Sequence, residues 1–157
     1  KDLASMIPGM GKMLKNVDEH RIEFVRELDG VTYYNDSKGT NPDSSIKALE
    51  AMTKPTLIIA GGYDKHSEFD GFIDAFGGKV KLMVLIGTTA PQIEKTARAH
   101  GFDNIINTDS LENAVQICHD NAVSGDVVLL SPACASWDMF KSYEERGRLF
   151  KEYVNRF

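Results

Sequence analysis

Three polar stretches of the sequence carry the residue types that bind carboxylates and phosphates, namely hydroxyls, lysines and the N–H groups of helix amino-termini. Each follows a short apolar run, and they span residues 35–42, 60–65 and 131–138. Lys38 is the most informative residue among them, because the helix dipole opposes a cation near a helix amino-terminus unless an anion lies there as well. The pattern indicates a site for an anionic small molecule.

Each stretch also has a purely structural interpretation. Asp36, Ser37 and Asn41 are residue types that form turns and helix caps. The Gly61-Gly62 pair permits a sharp turn of the chain, and Ser136 is placed to be the N-cap of the last predicted helix. Only the combination of the three stretches favours a ligand site over a set of turns and caps.

Cysteine and metal chemistry are not indicated. Cys118 and Cys134 lie far apart, without a C-x-x-C pair or a nearby histidine, which favours packed, reduced thiols over a disulfide, a zinc site or a nucleophile. His66, His100 and His119 lack the spacing of metal ligands, so we predict that they lie at the surface or at helix ends. We expect no metal site within this sequence.

The elements that would position these stretches alternate between strand and helix. Residues 22–28 and 31–35 flank an Asp29-Gly30 turn and predict an amino-terminal β-hairpin. Strand and helix in alternation predict an α/β fold with a Rossmann-like, doubly wound and mostly parallel sheet, which binds ligands at the carboxyl ends of its strands. The short apolar runs typical of its buried parallel strands are residues 56–60, 80–86, 104–107 and 127–130.

Helix boundaries follow from capping residues, and buried faces follow from periodicity. Gly101 is predicted to end one helix. The predicted amino-terminal caps are Asn41 with Pro42, Thr89 with Gln92, and Asp109 with Glu112. The two predicted buried faces comprise Leu111, Ala114, Val115 and Cys118 on one helix, and Phe140, Tyr143, Gly147, Phe150 and Val154 on the last.

The composition argues against several functional classes. The 157 residues include 18 Lys and Arg and 23 Asp and Glu, a formal net charge of -5 without a basic patch, which argues against nucleic acid as a partner. No apolar run is long enough to span a bilayer, and no signal peptide is visible at the start. We therefore expect a soluble, cytoplasmic α/β domain that does not bind membranes.

The common nucleotide-binding fingerprints are missing from the sequence. Residues 9–12 superficially resemble a phosphate loop, but Met6 and Met13 stand where that motif requires glycine and serine or threonine. No G-x-G-x-x-G motif follows a predicted strand. The sheet is therefore Rossmann-like without the usual dinucleotide chemistry.

The beginning of the chain differs from the rest. Residues 1–19 contain Pro8 and show poor periodicity, so we expect a linker or the end of a preceding domain there, followed by one domain at residues 20–157. The first residue is Lys1 rather than Met, from which we expect a piece of a longer polypeptide.

Four motifs, in their order and spacing, resemble the carboxyl-terminal domain of the Mur ligases. The last motif, together with Tyr143 and the Glu-Arg-Gly triplet at 145–147, resembles the branch of that family that adds D-glutamate to UDP-N-acetylmuramoyl-L-alanine. The resemblance runs from about residue 20 to the end of the chain. The four motifs are His20-Arg21, NDSKGTN at 35–41, GGYDK at 61–65 and LSPACASWDMF at 130–140.

The resemblance implies an ATP-dependent peptide ligase of peptidoglycan biosynthesis. Such enzymes use ATP to phosphorylate the terminal carboxylate of the UDP-linked substrate, and the amine of D-glutamate then attacks the acyl phosphate. They have three domains, and this sequence resembles the third. The resemblance thus implies that the other domains hold most of UDP-N-acetylmuramoyl-L-alanine, the phosphate loop and the Mg2+ ligands. We also expect a monomer whose isolated third domain is inactive.

The resemblance assigns five residues to D-glutamate. Lys65, Thr40 and Ser136 would hold its carboxylates. Trp137 and Tyr143 would form the wall of the pocket. Lysine and hydroxyl donors suit this task, since charge-assisted hydrogen bonds to carboxylates are the stronger ones.

The resemblance assigns three further residues to ATP and the reaction. Arg21 would contact a phosphate, for which its planar guanidinium is well suited, and Asp36 would bind a ribose hydroxyl. Lys38 would be catalytic, supplying positive charge near the phosphates or near the incoming amino acid.

Two alternative functions remain open on the sequence. One is a sister ligase that adds another amino acid, such as the diaminopimelate or lysine ligase, or folylpolyglutamate synthase. The other is a non-catalytic, Rossmann-like domain that binds a small ligand, which the missing phosphate loop also permits.

Overall fold

A six-stranded sheet forms the centre of the fold. The computed structural model describes residues 22–64 and 66–157. Its strands are β1 (Glu23–Leu28), β2 (Val31–Asn35), β3 (Thr56–Ala60), β4 (Val80–Leu85), β5 (Ile105–Asn107) and β6 (Val127–Leu130). They lie in the order β1-β2-β6-β3-β4-β5, with β1 antiparallel to β2 and the other neighbours parallel. The predicted mostly parallel sheet with an amino-terminal hairpin is confirmed.

Helices cover both faces of this sheet. In the described part of the chain they are α1 (Pro42–Ala51), α2 (Asp70–Asp74), α3 (Ala90–Ala99), α4 (Leu111–Asn121) and α5 (Tyr143–Asn155). Helices α1 to α3 pack with Ile58 and Met83 on one face, and α4 and α5 pack with Leu57 and Val84 on the other. Since successive strand residues point to opposite faces, each central strand contributes to both cores. The doubly wound prediction is confirmed, and none of these helices is long and apolar enough to cross a membrane.

The order of the strands opens a crevice at one edge of the sheet. Strand β6 lies between β2 and β3, and the chain leaves β6 toward α5 on one face. From β2 and β3 it leaves toward α1 and α2 on the opposite face. Connections that diverge from neighbouring parallel strands leave a gap beyond the strand ends, which is where open α/β sheets bind ligands.

Two of the predicted helix starts can be compared directly with the structure. Asn41 caps α1, and its side-chain oxygen accepts a hydrogen bond from the Ser44 N–H at 3.0 Å, as predicted. The cap of α4 is Ser110, which accepts from the Asn113 N–H at 3.0 Å. The prediction of Asp109 was wrong by one residue, because the hydroxyl next to it reaches the orphan N–H of the first turn.

The predicted capping box of Thr89 with Gln92 was also wrong. Thr89 precedes α3 but makes no side-chain capping bond. Its hydroxyl pairs instead with Gly62, accepting from the backbone N–H at 3.1 Å and lying 3.0 Å from the backbone oxygen. Gln92 donates to the Ser67 carbonyl. Tertiary contacts with the neighbouring loop thus replace the local cap.

The last helix starts later than predicted. Its N-cap is Ser142, which accepts from the Glu145 N–H at 3.1 Å, so the interpretation of Ser136 as the cap was wrong. Phe140 lies before the helix and packs, partly buried, against the core. The predicted buried face holds from Gly147 onward, since Gly147, Phe150 and Val154 are buried.

A histidine joins α2 to α3 at the surface. The His100 ring nitrogens lie 2.7 Å from Asp70 Oδ1 and 3.0 Å from Asp74 Oδ1. These two carboxylates, Asp70 first, raise the pKa of His100 above its ordinary value of 6.5. The prediction that His100 lies at a helix end is confirmed, and its ring joins the end of α3 to the two aspartates of α2.

Replacing His100 with Gln is expected to lower the free energy of unfolding more at about pH 5.5 than at about pH 9. Because the folded-state pKa is raised, this stabilisation is present below the ordinary pKa and is lost as the pH rises through the folded-state value. Urea unfolding at both pH values measures the difference. The control is His66→Gln, since His66 bonds no other described residue. An equal loss at both pH values would contradict the prediction.

Candidate functional site

Three loops meet at the crevice beyond β2, β3 and β6. We call them the β2 loop (residues 36–41), the β3 loop (61–64 and 66–69) and the β6 loop (131–142). The polar stretches that the sequence singled out therefore lie side by side. Their backbone hydrogen bonds are Asp36 N to Leu130 O at 2.7 Å, Gly61 N to Pro132 O at 2.9 Å, Tyr63 N to Ala135 O at 2.9 Å and Ala135 N to Tyr63 O at 2.8 Å.

A buried arginine clamps two of these loops together. Arg146, in the first turn of α5, is 1% exposed. Its Nε donates to Ser37 Oγ at 2.9 Å, its Nη2 to the Ser37 carbonyl at 2.6 Å and its Nη1 to the Cys134 carbonyl at 3.1 Å. Burial lowers the pKa of Arg146 to about 10, so the guanidinium remains charged at neutral pH. The β2 and β6 loops are thus fixed relative to each other by one cation.

Arg146 was not predicted as a site residue, although the sequence carries a signal for it. Phe150 and Val154 follow it by one and two helical turns, which places Arg146 on the buried side of α5. The dipole argument applied to Lys38 holds here too, since a cation in a first helical turn needs compensating acceptors. The two carbonyls and the Ser37 hydroxyl supply them.

Asp36 belongs to the polar core beneath the crevice. Its carboxyl is 2% exposed and accepts a hydrogen bond from Ser131 Oγ at 2.7 Å, and Ser131 Oγ lies 2.7 Å from Ser45 Oγ. Burial raises the pKa of Asp36 to about 7, against the opposing effects of the Ser131 hydrogen bond and Arg146. Gly39 permits this packing, since a Cβ there would lie 2.7 Å from Asp36 Oδ2. The ribose contact assigned to Asp36 stays a prediction.

The Gly61-Gly62 pair is required by close backbone contacts. Both residues have positive φ angles, +108° and +147°. A Cβ on Gly61 would overlap the Ile86 carbonyl oxygen, and one on Gly62 would lie 2.5 Å from the Ala135 carbonyl oxygen. Only glycine fits such positions, so the structural interpretation of this pair as a sharp turn is confirmed.

Cys134 is a packed thiol. It is fully buried, and its Sγ lies 3.2 Å from Thr89 Oγ1. Burial raises the pKa of Cys134 to about 12 and also raises that of Cys118, so neither residue is a thiolate at neutral pH. Both cysteines are free, as predicted.

Four of the predicted substrate residues line one cavity. It has a volume of about 490 Å³ and lies between the β2 loop, the β6 loop and the start of α5. Thr40 comes from the first, Ser136 and Trp137 from the second, and Tyr143 is the first residue of α5. A cavity of this volume falls in the range of small-molecule sites.

The β6 loop contains two unsatisfied polar atoms, and one of them belongs to Ser136, which lines this cavity. Ser136 is 1% exposed, and its Oγ has no hydrogen-bond partner in the described structure. Asp138 Oδ1 is likewise buried without a partner, although Asp138 Oδ2 accepts from the Thr88 N–H at 3.0 Å. Ala133 holds a φ of +61°, which is rare for a residue with a side chain. Unpaired polar atoms and strained backbone concentrate at ligand sites, because the rest of the fold maintains them.

An aromatic pair forms the rim of the cavity. The Trp137 ring packs against Tyr63 with a centroid distance of 5.8 Å. Trp137 is nevertheless 72% exposed, which is unusual for so large an apolar side chain. It gives the cavity an apolar wall that is open to solvent.

Lys38 lies on the other side of Tyr143. Its Nζ is 5.4 Å from the centroid of the Tyr143 ring, a cation–π contact. It lines a second cavity of about 280 Å³ together with Ser37 and Lys151. The structure therefore does not bring Lys38 into the cavity that Thr40 and Ser136 share.

Two predicted site residues fall outside the described part of the chain. They are Arg21 and Lys65, and the roles assigned to them stay predictions. Within the described residues, no group of three or more His, Cys, Asp or Glu side chains is placed to hold a metal ion.

Comparison with known proteins gives the site its context. Residues 20–134 match the family model described as the Mur ligase, glutamate ligase domain. A UDP-N-acetylmuramoylalanine–D-glutamate ligase from Lachnospira eligens is 63% identical over 137 residues, which cover 87% of this chain and 30% of that protein. The chain spans about a third of the length of the curated relatives it matches.

Solved structures share the fold at low sequence identity. A UDP-N-acetylmuramate-alanine ligase from Thermotoga maritima has a TM-score of 0.58 at 13% identity, covering 85% of this chain and 29% of that one. A folylpolyglutamate synthase from Mycobacterium tuberculosis, complexed with ADP and AMPPCP, has a TM-score of 0.56 at 15% identity. The match covers 83% of this chain and 32% of that one. With a family model that matches most of its length, this chain belongs to the family described as the Mur ligase, glutamate ligase domain.

Proposed function

We propose that this chain is the amino-acid-binding domain of an ATP-dependent ligase that joins D-glutamate to UDP-N-acetylmuramoyl-L-alanine. The observation that carries the proposal is the cavity of about 490 Å³ at which Thr40, Ser136, Trp137 and Tyr143 meet. A relative that is 63% identical bears the name of this D-glutamate ligase. The activity belongs to the longer polypeptide of which the chain spans one part.

In this proposal the cavity holds D-glutamate by its two carboxylates. The buried Ser136 hydroxyl, which has no partner of its own, donates to one of them. Thr40 from the β2 loop and Lys65 add further donors. Hydrogen bonds from such groups to a carboxylate are charge-assisted and therefore strong. Trp137 and Tyr143 pack against the carbon chain between the carboxylates.

The domain contributes position rather than covalent chemistry. ATP phosphorylates the terminal carboxylate of the UDP-linked substrate, and the held amine of D-glutamate attacks the acyl carbon, expelling phosphate through a tetrahedral intermediate. Fixing the amine in line with that carbon removes much of the entropic cost of a two-substrate reaction. The cavity on rigid loops clamped by Arg146 supplies this alignment.

The nucleotide contacts remain a second part of the proposal. Arg21 contacts a phosphate of ATP, Asp36 a ribose hydroxyl, and Lys38 adds positive charge beside the transferring phosphate. An ADP complex is known for the folylpolyglutamate synthase that shares this fold. The Mg2+ that accompanies ATP would take its ligands from another domain, and the complete enzyme would act as a cytoplasmic monomer.

The complete polypeptide that contains this chain is expected to form ADP and the D-glutamyl product from ATP, UDP-N-acetylmuramoyl-L-alanine and D-glutamate. The 157-residue chain alone is expected to form neither, because its sequence lacks a phosphate-loop motif. Product analysis by mass spectrometry, with L-glutamate, L-lysine and diaminopimelate as competing amines, measures both.

Two outcomes would contradict this function. Ligation by the chain alone would contradict the division of the reaction between domains. A preference of the complete protein for another amine would favour a sister ligase, and inactivity with every amine would favour a non-catalytic binding domain.

Ser136→Ala in the complete ligase is expected to raise the KM for D-glutamate about tenfold without lowering the melting temperature. The Ser136 hydroxyl has no partner in the described structure, so its removal breaks no internal hydrogen bond. Steady-state kinetics and thermal unfolding measure the two effects. Ser131→Ala is the control, since Ser131 Oγ bonds Asp36 and its loss should lower stability. A reduced melting temperature with an unchanged KM would contradict a ligand role for Ser136.

Arg146→Met is expected to lower the free energy of unfolding of the chain by about 2 to 4 kcal/mol, because it leaves buried carbonyls unpaired. Arg146→Lys should recover little, since one ammonium cannot reproduce the planar fork. Urea unfolding measures both changes. Arg148→Met is the matched control on the same helix, and its exposed ion pairs should contribute less than about 1 kcal/mol. Equal effects at positions 146 and 148 would contradict the clamp.

A further inference from the structure

Lys141 lines the same cavity as Thr40 and Ser136. It lies outside the polar stretch at 131–138 and was not predicted as a site residue. A short turn brings Lys141 to the cavity. In this turn the N–H groups of Met139 and Phe140 donate to the Ser136 carbonyl at 3.1 and 2.8 Å. The chain therefore turns between Ser136 and Lys141, and both residues line the same cavity.

The backbone at Lys141 is held in place. Its N–H donates to Glu145 Oε1 at 2.8 Å, and the Glu145 N–H in turn donates to Ser142 Oγ at 3.1 Å. These reciprocal bonds at the start of α5 resemble a capping box and fix the direction from which the Lys141 side chain leaves the chain. The ammonium itself remains at the end of a flexible, exposed stem.

The Lys141 ammonium has no hydrogen bond or ion pair with another described residue. Lys79, Lys81 and Lys151 are engaged by carbonyls or carboxylates, whereas Lys47, Lys54 and Lys95 have no partner among the described residues, like Lys141. Lys141 differs from these three because it lines the cavity. Glu144 also lines the cavity, yet it forms no ion pair with Lys141 within 4.0 Å. An uncompensated cation therefore borders a cavity that contains an uncompensated buried hydroxyl.

The charge of the ligand explains why such a cation is needed. D-glutamate carries two carboxylates, and a neutral hydroxyl such as Ser136 Oγ can bond to one of them without balancing its charge. Lys65, in the proposed function, balances a single negative charge. A second cation would hold the other carboxylate more strongly than a neutral donor does, because charge-assisted hydrogen bonds are the stronger ones.

We propose that Lys141 binds one carboxylate of the amino-acid substrate, as a cation of the site in addition to Lys65. The inference rests on the proposed function and adds a binding residue to it. The ammonium reaches the carboxylate from the β6 loop, next to the hydroxyl of Ser136. Together the two residues form a donor pair on one wall of the cavity.

The test compares Lys141→Met, Lys141→Arg and wild type in the complete ligase. Methionine keeps the length and apolar stem of lysine but removes the charge. We expect Lys141→Met to raise the KM for D-glutamate about tenfold, while the KM values for ATP and the UDP-linked substrate stay within about twofold. Lys141→Arg should restore the KM for D-glutamate to within about threefold of wild type. Lys95→Met, at an exposed lysine of α3 that does not line the cavity, should change none of them.

The outcomes separate this inference from the proposed function. If wild type ligates D-glutamate and Lys141→Met has an unchanged KM for it, Lys141 is not a substrate ligand and the proposed function stands. A parallel rise in the KM values for D-glutamate and ATP would also overturn the inference, because it would indicate a general disturbance of the domain. If wild type does not ligate D-glutamate, the proposed function itself fails.

Discussion

The buried guanidinium of Arg146 joins the β2 loop to the β6 loop, and the geometry of the site depends on that junction. The two loops come from neighbouring strands but lead to helices on opposite faces of the sheet, so the packing of α1 and α5 tends to separate them. Arg146 bridges the gap with bonds to both Ser37 and Cys134. A buried charge is costly unless all its donors are satisfied, which makes this arrangement specific as well as firm.

The clamp allows the β6 loop to maintain groups that an unanchored loop would not. Ser136 Oγ and Asp138 Oδ1 are buried without partners in the described structure, and Ala133 has a positive φ angle. Each of these features costs free energy in the unliganded fold. The surrounding backbone bonds, including the pair between Tyr63 and Ala135, meet that cost. Among these groups the Ser136 hydroxyl is a donor at the cavity that no other described residue uses, which leaves it available to a ligand.

The sequence predicted those features that depend on periodicity and on strand ends. Apolar runs located the parallel strands, Asp29-Gly30 located the hairpin turn, and the rule that ligands bind beyond strand ends brought Thr40 and Ser136 to one edge. The features that were not predicted depend on contacts between residues far apart in the sequence. Thr89 bonds Gly62 instead of capping α3. The periodicity of α5 indicates that Arg146 is buried, but its acceptors on the β2 and β6 loops, and the position of Lys141 at the cavity, are seen only in the folded chain.

The central claim is that the β2 and β6 loops, as one clamped unit, hold the amino-acid substrate. Hydrogen exchange of the complete ligase, loaded with the UDP-linked substrate and a non-hydrolysable ATP analogue, tests it most directly when D-glutamate or L-glutamate is added. We predict that D-glutamate slows exchange of amides at residues 36–41 and 131–143 together, and that L-glutamate does not. Protection confined to other segments, or equal protection by both enantiomers, would contradict the account.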